Sequence, residues 1–154
     1  MFNGKTIVYT SGTFDMFHYN HLRMINYARA LADILIVGVS TDELVKSYKP
    51  SPIIPFAERM QILEALKTPD IVIPQHTLDH TELVKKLNID AFVVGDDWYG
   101  KYDYLREEGV QVFYFPYGTG ASTTNIKESV IESYNQQLLD EIATKPDPSK
   151  DAKR

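Results

Sequence analysis

Residues 6–21 read TIVYTSGTFDMFHYNH, and this stretch decides the fold. Its first five residues form an apolar, β-branched run, which is typical of a strand covered on both faces. A turn of small and polar residues follows, and then two histidines three positions apart, His18 and His21. Beyond them, apolar residues of 22–31 fall largely on one helical face. The stretch therefore predicts a strand, a turn and a helix.

The same alternation continues along the chain. Strands are predicted at residues 6–10, 34–39, 71–73, 91–94 and 110–115, with helical patterns between them. Strand–helix alternation of this kind favours right-handed crossovers between parallel strands. We therefore predict an α/β fold: a doubly wound, Rossmann-like sheet of five parallel strands with helices on both faces.

Two features mark helices in the second half of the chain. A short helix is predicted at residues 102–108, with Gly109 as the residue that ends it. The last helix is predicted to begin near Asn125, whose spacing to Glu128 fits a capping box, and to fade around residues 142–143.

The composition indicates a single domain. The chain has 154 residues, of which 44% are hydrophobic, and this suits one domain over residues 1–143 with a buried core. The last ten residues, KPDPSKDAKR, contain two prolines and six charged residues. Residues 144–154 are therefore predicted to be a disordered tail or a linker.

Charge and cysteine content exclude several classes of function. The chain carries 16 Lys and Arg against 21 Asp and Glu, a net charge of −5, which disfavours sequence-independent nucleic-acid binding. With no cysteine, thiol catalysis, disulfides and Cys-ligated metals are excluded within this chain. The sequence shows neither a secretion signal nor a run of membrane-spanning length, so we expect a cytoplasmic protein without membrane insertion.

The first turn is placed to hold an anion. In an open parallel sheet, ligands bind beyond the carboxyl ends of the strands, where unpaired N–H groups at a helix start favour phosphate. His18 and His21 could both donate hydrogen bonds to phosphate oxygens there. They could also be ordinary surface residues, or zinc ligands for which no third ligand lies at the usual spacing. These residues alone leave the three interpretations open.

Four segments, taken in order, resemble one family. Residues 12–21, GTFDMFHYNH, resemble the GTFDxxHxGH motif of the cytidylyltransferase family. Residues 40–59, 89–103 and 119–128 resemble its STDE…K…P…ER, GDDWxGKxD and TEGISTTxIKE segments. The GDDW segment is most similar to the branch of the family that acts on glycerol 3-phosphate.

The resemblance implies a reaction and its participants. CMP would pass from CTP to a small phosphomonoester, with glycerol 3-phosphate as a candidate, to give a CDP-alcohol and pyrophosphate. The acceptor phosphate would attack the α-phosphorus directly, so the protein would align the reactants and neutralise growing negative charge. Mg²⁺, bound mainly through the nucleotide phosphates rather than by dedicated protein ligands, would accompany CTP. Family members commonly form homodimers.

The resemblance also assigns residue roles. His18, His21 and Lys49 would be catalytic. The nucleotide-binding set would be Gly12, Thr13, Phe14, His18, His21, Lys46, Lys49, Asp96, Tyr117, Gly120, Ser122, Thr123 and Thr124. Arg59 would either pair with a carboxylate or contact phosphate, and a salt bridge on a helix surface is equally compatible with the sequence.

The sequence departs from the family pattern at two positions. Asn20 replaces a glycine between the histidines, and asparagine tolerates positive φ or caps a helix. Tyr117 stands where the family commonly has an arginine that contacts CTP phosphates, and Lys101, Arg106 or Lys127 are candidates to compensate. Two alternatives follow: an adenylyltransferase of the same fold that uses ATP, or a nucleotide-binding module with weakened catalysis.

A second pair of histidines lies in the segment PQHTLDH. His76 and His80 share the spacing of a two-histidine metal face. The neighbouring Pro74 and Gln75 favour a loop instead, and Asp79 is suited to cap the following helix.

Overall fold

The computed structural model describes residues 2–117 and 122–145. The chain divides into two compact units, residues 1–120 and 121–154. Gly120 and most of the predicted tail lie outside the described residues, and the predicted domain boundary at residue 143 stays a prediction.

The first unit is built on five parallel strands. The strands are β1 Ile7–Gly12, β2 Ile34–Ser40, β3 Ile71–Gln75, β4 Ala91–Gly95 and β5 Gln111–Phe115. They lie in the order β3-β2-β1-β4-β5, and every neighbouring pair is parallel. The strand order reverses around β1, the arrangement of a doubly wound sheet, and places a crevice at its carboxyl end.

The helices of this unit connect the strands. They are α1 Tyr19–Leu31, α2 Asp42–Lys46, α3 Phe56–Ala65 and α4 Thr81–Lys86, with 3-10 helices at Asp96–Trp98 and Asp103–Glu108. Gly109 follows the second 3-10 helix with φ 80°, a left-handed conformation that glycine adopts at low cost. The predicted short helix and its terminating glycine are confirmed.

A hydrophobic core lies on each face of the sheet. Side chains alternate along β1, so buried Val8 packs with Ile25 of α1 and Leu63 of α3 on one face. Buried Tyr9 packs on the other face with Val84 of α4 and with side chains of the second 3-10 helix. The predicted fold class is confirmed, because helices cover both faces of a five-stranded parallel sheet.

In its described residues, 122–145, the second unit contains helix α5, Thr123–Thr144. Ser122 is the N-cap, since its hydroxyl oxygen accepts a hydrogen bond of 3.0 Å from the Asn125 N–H. The prediction that the helix begins near Asn125 is wrong by two residues, because serine competes effectively for the capping position. Six apolar residues of the helix are exposed: Val130, Ile131, Tyr134, Leu138, Leu139 and Ile142. Among the described residues, no helix is both long and apolar enough to cross a membrane.

Candidate active site

The turn between β1 and α1 is tightly folded. Phe14 and Met16 both have positive φ, 54° and 47°, and the Phe14 ring is buried in the core. A Cβ atom at Gly12 would lie 3.3 Å from that ring, closer than ordinary van der Waals contact. Glycine at position 12 therefore lets the Phe14 ring fold back beneath the end of β1 and fixes the direction in which the chain enters α1.

Arg59 joins the end of β2 to two loops at the carboxyl end of the sheet. Its buried guanidinium group donates hydrogen bonds to the backbone oxygens of Thr13 at 2.6 Å, Ser40 at 2.8 Å and Ile54 at 2.8 Å. It also forms an ion pair of 2.8 Å with Asp42. Of the predicted alternatives, the structure shows carboxylate pairing, and the salt bridge is buried on the Arg59 side rather than on a helix surface.

Asp15 attaches the loop that carries Lys49. Its two carboxylate oxygens accept hydrogen bonds of 2.9 Å from the backbone N–H groups of Ile53 and Ile54. In the same loop the Tyr48 ring lies edge-on to the Trp98 ring, with centroids 5.6 Å apart. The loop after α2 therefore lies over the crevice between the first turn and the end of β4.

The two histidines form a stacked pair at the start of α1. His18 is the N-cap residue, and the ring centroids of His18 and His21 are 3.6 Å apart with an interplanar angle of 22°. The His18 backbone N–H donates to His21 Nδ1 at 3.3 Å. Because Nδ1 accepts this bond, neutral His21 carries its proton on Nε2 and can donate it to a ligand. Nδ1 of His18 is buried without a hydrogen-bond partner in the described residues.

Both imidazoles are uncharged at neutral pH. Burial, followed by the electrostatic effects of His18 and Lys49, lowers the pKa of His21 to about 3. Burial also lowers the pKa of His18. The pair therefore offers hydrogen bonds to an anion but no positive charge.

Positive charge reaches the crevice from Lys49. This ammonium group lowers the pKa of the His21 imidazole and of the Asp97 carboxyl, so it lies near both side chains. Partial burial, followed by the negative charge of Asp96, holds the pKa of Asp97 above its usual range. Lys46 is exposed at the end of α2. Lys49 is therefore the loop lysine whose charge acts on His21.

Tyr117 packs against the end of β4. A Cβ atom at Gly95 would collide with the Tyr117 ring and would lie 2.5 Å from the Asp97 carboxylate. The Tyr117 hydroxyl donates to Met24 Sδ at 3.3 Å, and burial raises its pKa well above the usual range. The side chain at this position therefore points toward α1 and brings no charge.

Asn20 neither adopts positive φ nor caps α1, the two roles expected for it. It lies within α1 with a helical backbone, and it is buried, so positive φ is not needed at this position. Its side-chain oxygen accepts a hydrogen bond of 3.1 Å from Arg23 Nη1. The sequence analysis missed Arg23, and no signal pointed to it, because residues two positions apart on a helix, such as His21 and Arg23, do not share a face.

His80 is a core residue. Its ring stacks on Tyr102 with centroids 5.2 Å apart, and Nε2 lies 3.5 Å from the Ser11 hydroxyl. Burial lowers its pKa to about 4. The N-cap of α4 is His80 rather than the predicted Asp79, although Asp79 accepts hydrogen bonds from the Thr81 N–H at 3.0 Å and hydroxyl at 2.7 Å. Over residues 2–117 and 122–145, no three His, Asp or Glu side chains are grouped to hold a metal ion.

The structure brings several predicted site residues to one edge of the sheet. This edge carries Gly12, Thr13, the two histidines, Lys49 and Asp96. Ser122, Thr123 and Thr124 belong to the second unit, and Gly120 lies outside the described residues. That these residues meet the histidines stays a prediction.

The fold and a sequence match together place the chain in a family. The doubly wound sheet defines the chain as an α/β protein of the Rossmann-like class. The sequence model described as Cytidylyltransferase-like matches residues 9–129, and the chain belongs to this cytidylyltransferase-like family.

Named relatives cover most of the chain. A glycerol-3-phosphate cytidylyltransferase of Bacillus spizizenii is 41% identical over 124 residues, which are 80% of this chain and 95% of the relative. One of Staphylococcus aureus is 36% identical over 124 residues, 80% of this chain and 93% of the relative. The crystal structure of a lipopolysaccharide core biosynthesis protein from Thermoplasma volcanium has a TM-score of 0.63 at 23% identity. The structural match covers 77% of this chain and 100% of the Thermoplasma volcanium chain, and it supports the fold alone.

Proposed function

We propose that this protein is a cytidylyltransferase that transfers CMP from CTP to a small phosphomonoester, with glycerol 3-phosphate as the first candidate. The observation that carries the proposal is the match to glycerol-3-phosphate cytidylyltransferases, 36–41% identical and covered over more than nine-tenths of their length. The stacked histidines at the start of α1 supply a site of the required kind.

In the proposed reaction, an oxygen of the acceptor phosphate attacks the α-phosphorus of CTP. A new P–O bond forms, the bond to the β-phosphate breaks, and pyrophosphate leaves with that electron pair. No covalent enzyme intermediate is needed. The work of the protein is to hold the two phosphates in line and to stabilise the negative charge that grows on the leaving group.

The imidazoles act in this mechanism as neutral hydrogen-bond donors. Nε2–H of His21 is directed by the hydrogen bond at Nδ1 and can donate to a phosphate oxygen without losing its proton. The N–H groups in the first turn of α1 add their partial positive charge. Lys49 supplies a full charge beside them. In the transition state, the oxygen that bridges the α- and β-phosphates is more negative than it is in bound CTP. These groups therefore stabilise the transition state more than the bound substrate.

We infer that Mg²⁺ accompanies CTP and is held mainly through the phosphates. Asp96 and Asp97 follow β4 in the first 3-10 helix, and carboxylate oxygens of this kind suit Mg²⁺. The metal would supply further charge neutralisation when bound.

We also infer a homodimer in the cytoplasm, without membrane insertion or nucleic-acid partners. The exposed apolar residues of α5 offer a surface for self-association. Light scattering on the purified chain tests the oligomeric state, and a monomer at micromolar concentration would contradict this part of the proposal.

The catalytic proposal is tested by an acceptor screen. The protein is incubated with CTP, Mg²⁺ and a panel of phosphorylated alcohols, and pyrophosphate release is measured. We expect release only with an acceptor, with glycerol 3-phosphate among the best, and a preference for CTP over ATP in direct competition. Absence of release with every acceptor would overturn the proposal, and a preference for ATP would assign the chain to the adenylyltransferase alternative.

A further inference from the structure

Arg23 places a guanidinium group beside the first turn of α1. Side chains on a helix lean toward its N-terminus, and the contacts of Arg23 follow this rule. Its Nη1 donates to Asn20 Oδ1 at 3.1 Å, and its Cζ lies 5.9 Å from the centroid of the Tyr19 ring. It also lies 5.4 Å from the centroid of Phe115, the last residue of β5. The cation is therefore held at the carboxyl edge of the sheet, on the β5 side.

The charge of Arg23 is not neutralised by a protein carboxylate. Within the described residues, the other three arginines each form an ion pair, Arg29 with Asp70, Arg59 with Asp42 and Arg106 with Asp103. No Asp or Glu of the same ranges pairs with Arg23, whose contacts are an amide oxygen and two aromatic rings. Aromatic faces orient a guanidinium while leaving its N–H groups able to bind an anion.

The proposed site needs such a cation. A nucleoside triphosphate carries several negative charges, and the His18–His21 pair is uncharged. Lys49 approaches His21 and Asp97 from the loop after α2. On the β5 side, Tyr117 is neutral, and Arg23 brings positive charge to that flank.

We propose that Arg23 binds the outer phosphates of CTP, so that cations flank the start of α1 on both sides. This inference rests on the proposed function. Because the imidazoles occupy the centre of the first turn, a cation on its flank reaches the β- and γ-phosphates of an extended chain rather than the α-phosphate. Guanidinium groups bind phosphate in a bidentate manner, which also fixes the direction in which pyrophosphate leaves.

Calorimetric titration of the full chain tests this assignment. CTP with Mg²⁺, CMP and inorganic pyrophosphate are titrated into the wild type, Arg23→Gln, Arg23→Lys and Lys86→Gln. Lys86 is an exposed helical lysine at the end of α4, so its replacement removes one positive charge elsewhere and is the matched control. Thermal unfolding of each variant checks that the fold is retained.

We expect Arg23→Gln to weaken binding of CTP and of pyrophosphate about tenfold or more, the loss of one hydrogen-bonded charge. CMP binding should change less than about threefold, Arg23→Lys should be intermediate, and Lys86→Gln should match the wild type. The assignment is overturned if Arg23→Gln binds CTP normally, loses CMP affinity equally, or is matched by the Lys86→Gln control. A wild type that binds CTP but releases no pyrophosphate would overturn the proposed function alone, and the titrations would still decide the role of Arg23.

Discussion

Replacing Arg59 by methionine removes the group that joins the end of β2 to two loops under the crevice. The substitution leaves the backbone oxygens of Thr13, Ser40 and Ile54 without their donor, and it breaks the pair with Asp42. A buried acceptor left unsatisfied costs about 1–3 kcal/mol, and breaking a buried pair costs about 3–5 kcal/mol. The Asp42 side chain is 36% exposed and can be hydrated, which lowers the second figure.

We therefore expect Arg59→Met to lower the free energy of unfolding by about 3–5 kcal/mol and Tm by about 10 °C. Urea unfolding followed by circular dichroism measures the change. Arg29→Met is the matched control, because Arg29 also binds backbone oxygens and a carboxylate but is 31% exposed. The control should lose about 1 kcal/mol. Equal losses in the two variants, or a loss below about 1 kcal/mol for Arg59→Met, would refute the reasoning.

Two further predictions concern titration and packing. The pKa values of His21, about 3, and His80, about 4, lie below that of unfolded histidine, so the unfolded chain binds more protons below pH 6.5. Stability should therefore fall as pH drops from about 6.5 toward 4, and His80→Gln should flatten a plot of Tm against pH; an unchanged slope would contradict this. Gly95→Ala should lower the free energy of unfolding by about 1–3 kcal/mol, because the new methyl group meets the Tyr117 ring, and Tyr117→Ala in the same chain should recover part of the loss in urea unfolding. A Gly95→Ala chain as stable as the wild type would show that the ring moves freely.

The fold was predictable because its signals are local. Strands buried on both faces appear as continuous apolar runs, and each of the five predicted runs overlaps an observed strand. The ends were less predictable: β1 extends to Gly12 rather than residue 10, because pairing with β2 continues through the polar residues Ser11 and Gly12. The start of α5 was misplaced because Ser122 and Asn125 both have side chains that can cap a helix, and the sequence alone does not show which one does.

The site was only partly predictable because its contacts join distant segments. The histidine pair is visible in the sequence, but its spacing left three interpretations open, and its role came from the resemblance of residues 12–21 to the family motif. The role of Arg59 depends on backbone oxygens of three separate segments, the first turn, the end of β2 and the loop before α3, and no local pattern encodes such a set. Arg23 was missed because its partners include Phe115, 92 positions along the chain, and because an arginine on a helix surface is ordinarily solvated.

The central claim is that His18 and His21 together stabilise the reacting triphosphate. The most direct measurement is kcat/KM for acceptor-dependent pyrophosphate release in His18→Ala and His21→Ala, with Tm measured on the same samples. The account predicts a fall of about 10²–10³-fold in each variant, while Tm stays within a few degrees of the wild type. Rates within about threefold of the wild type in both variants would contradict it.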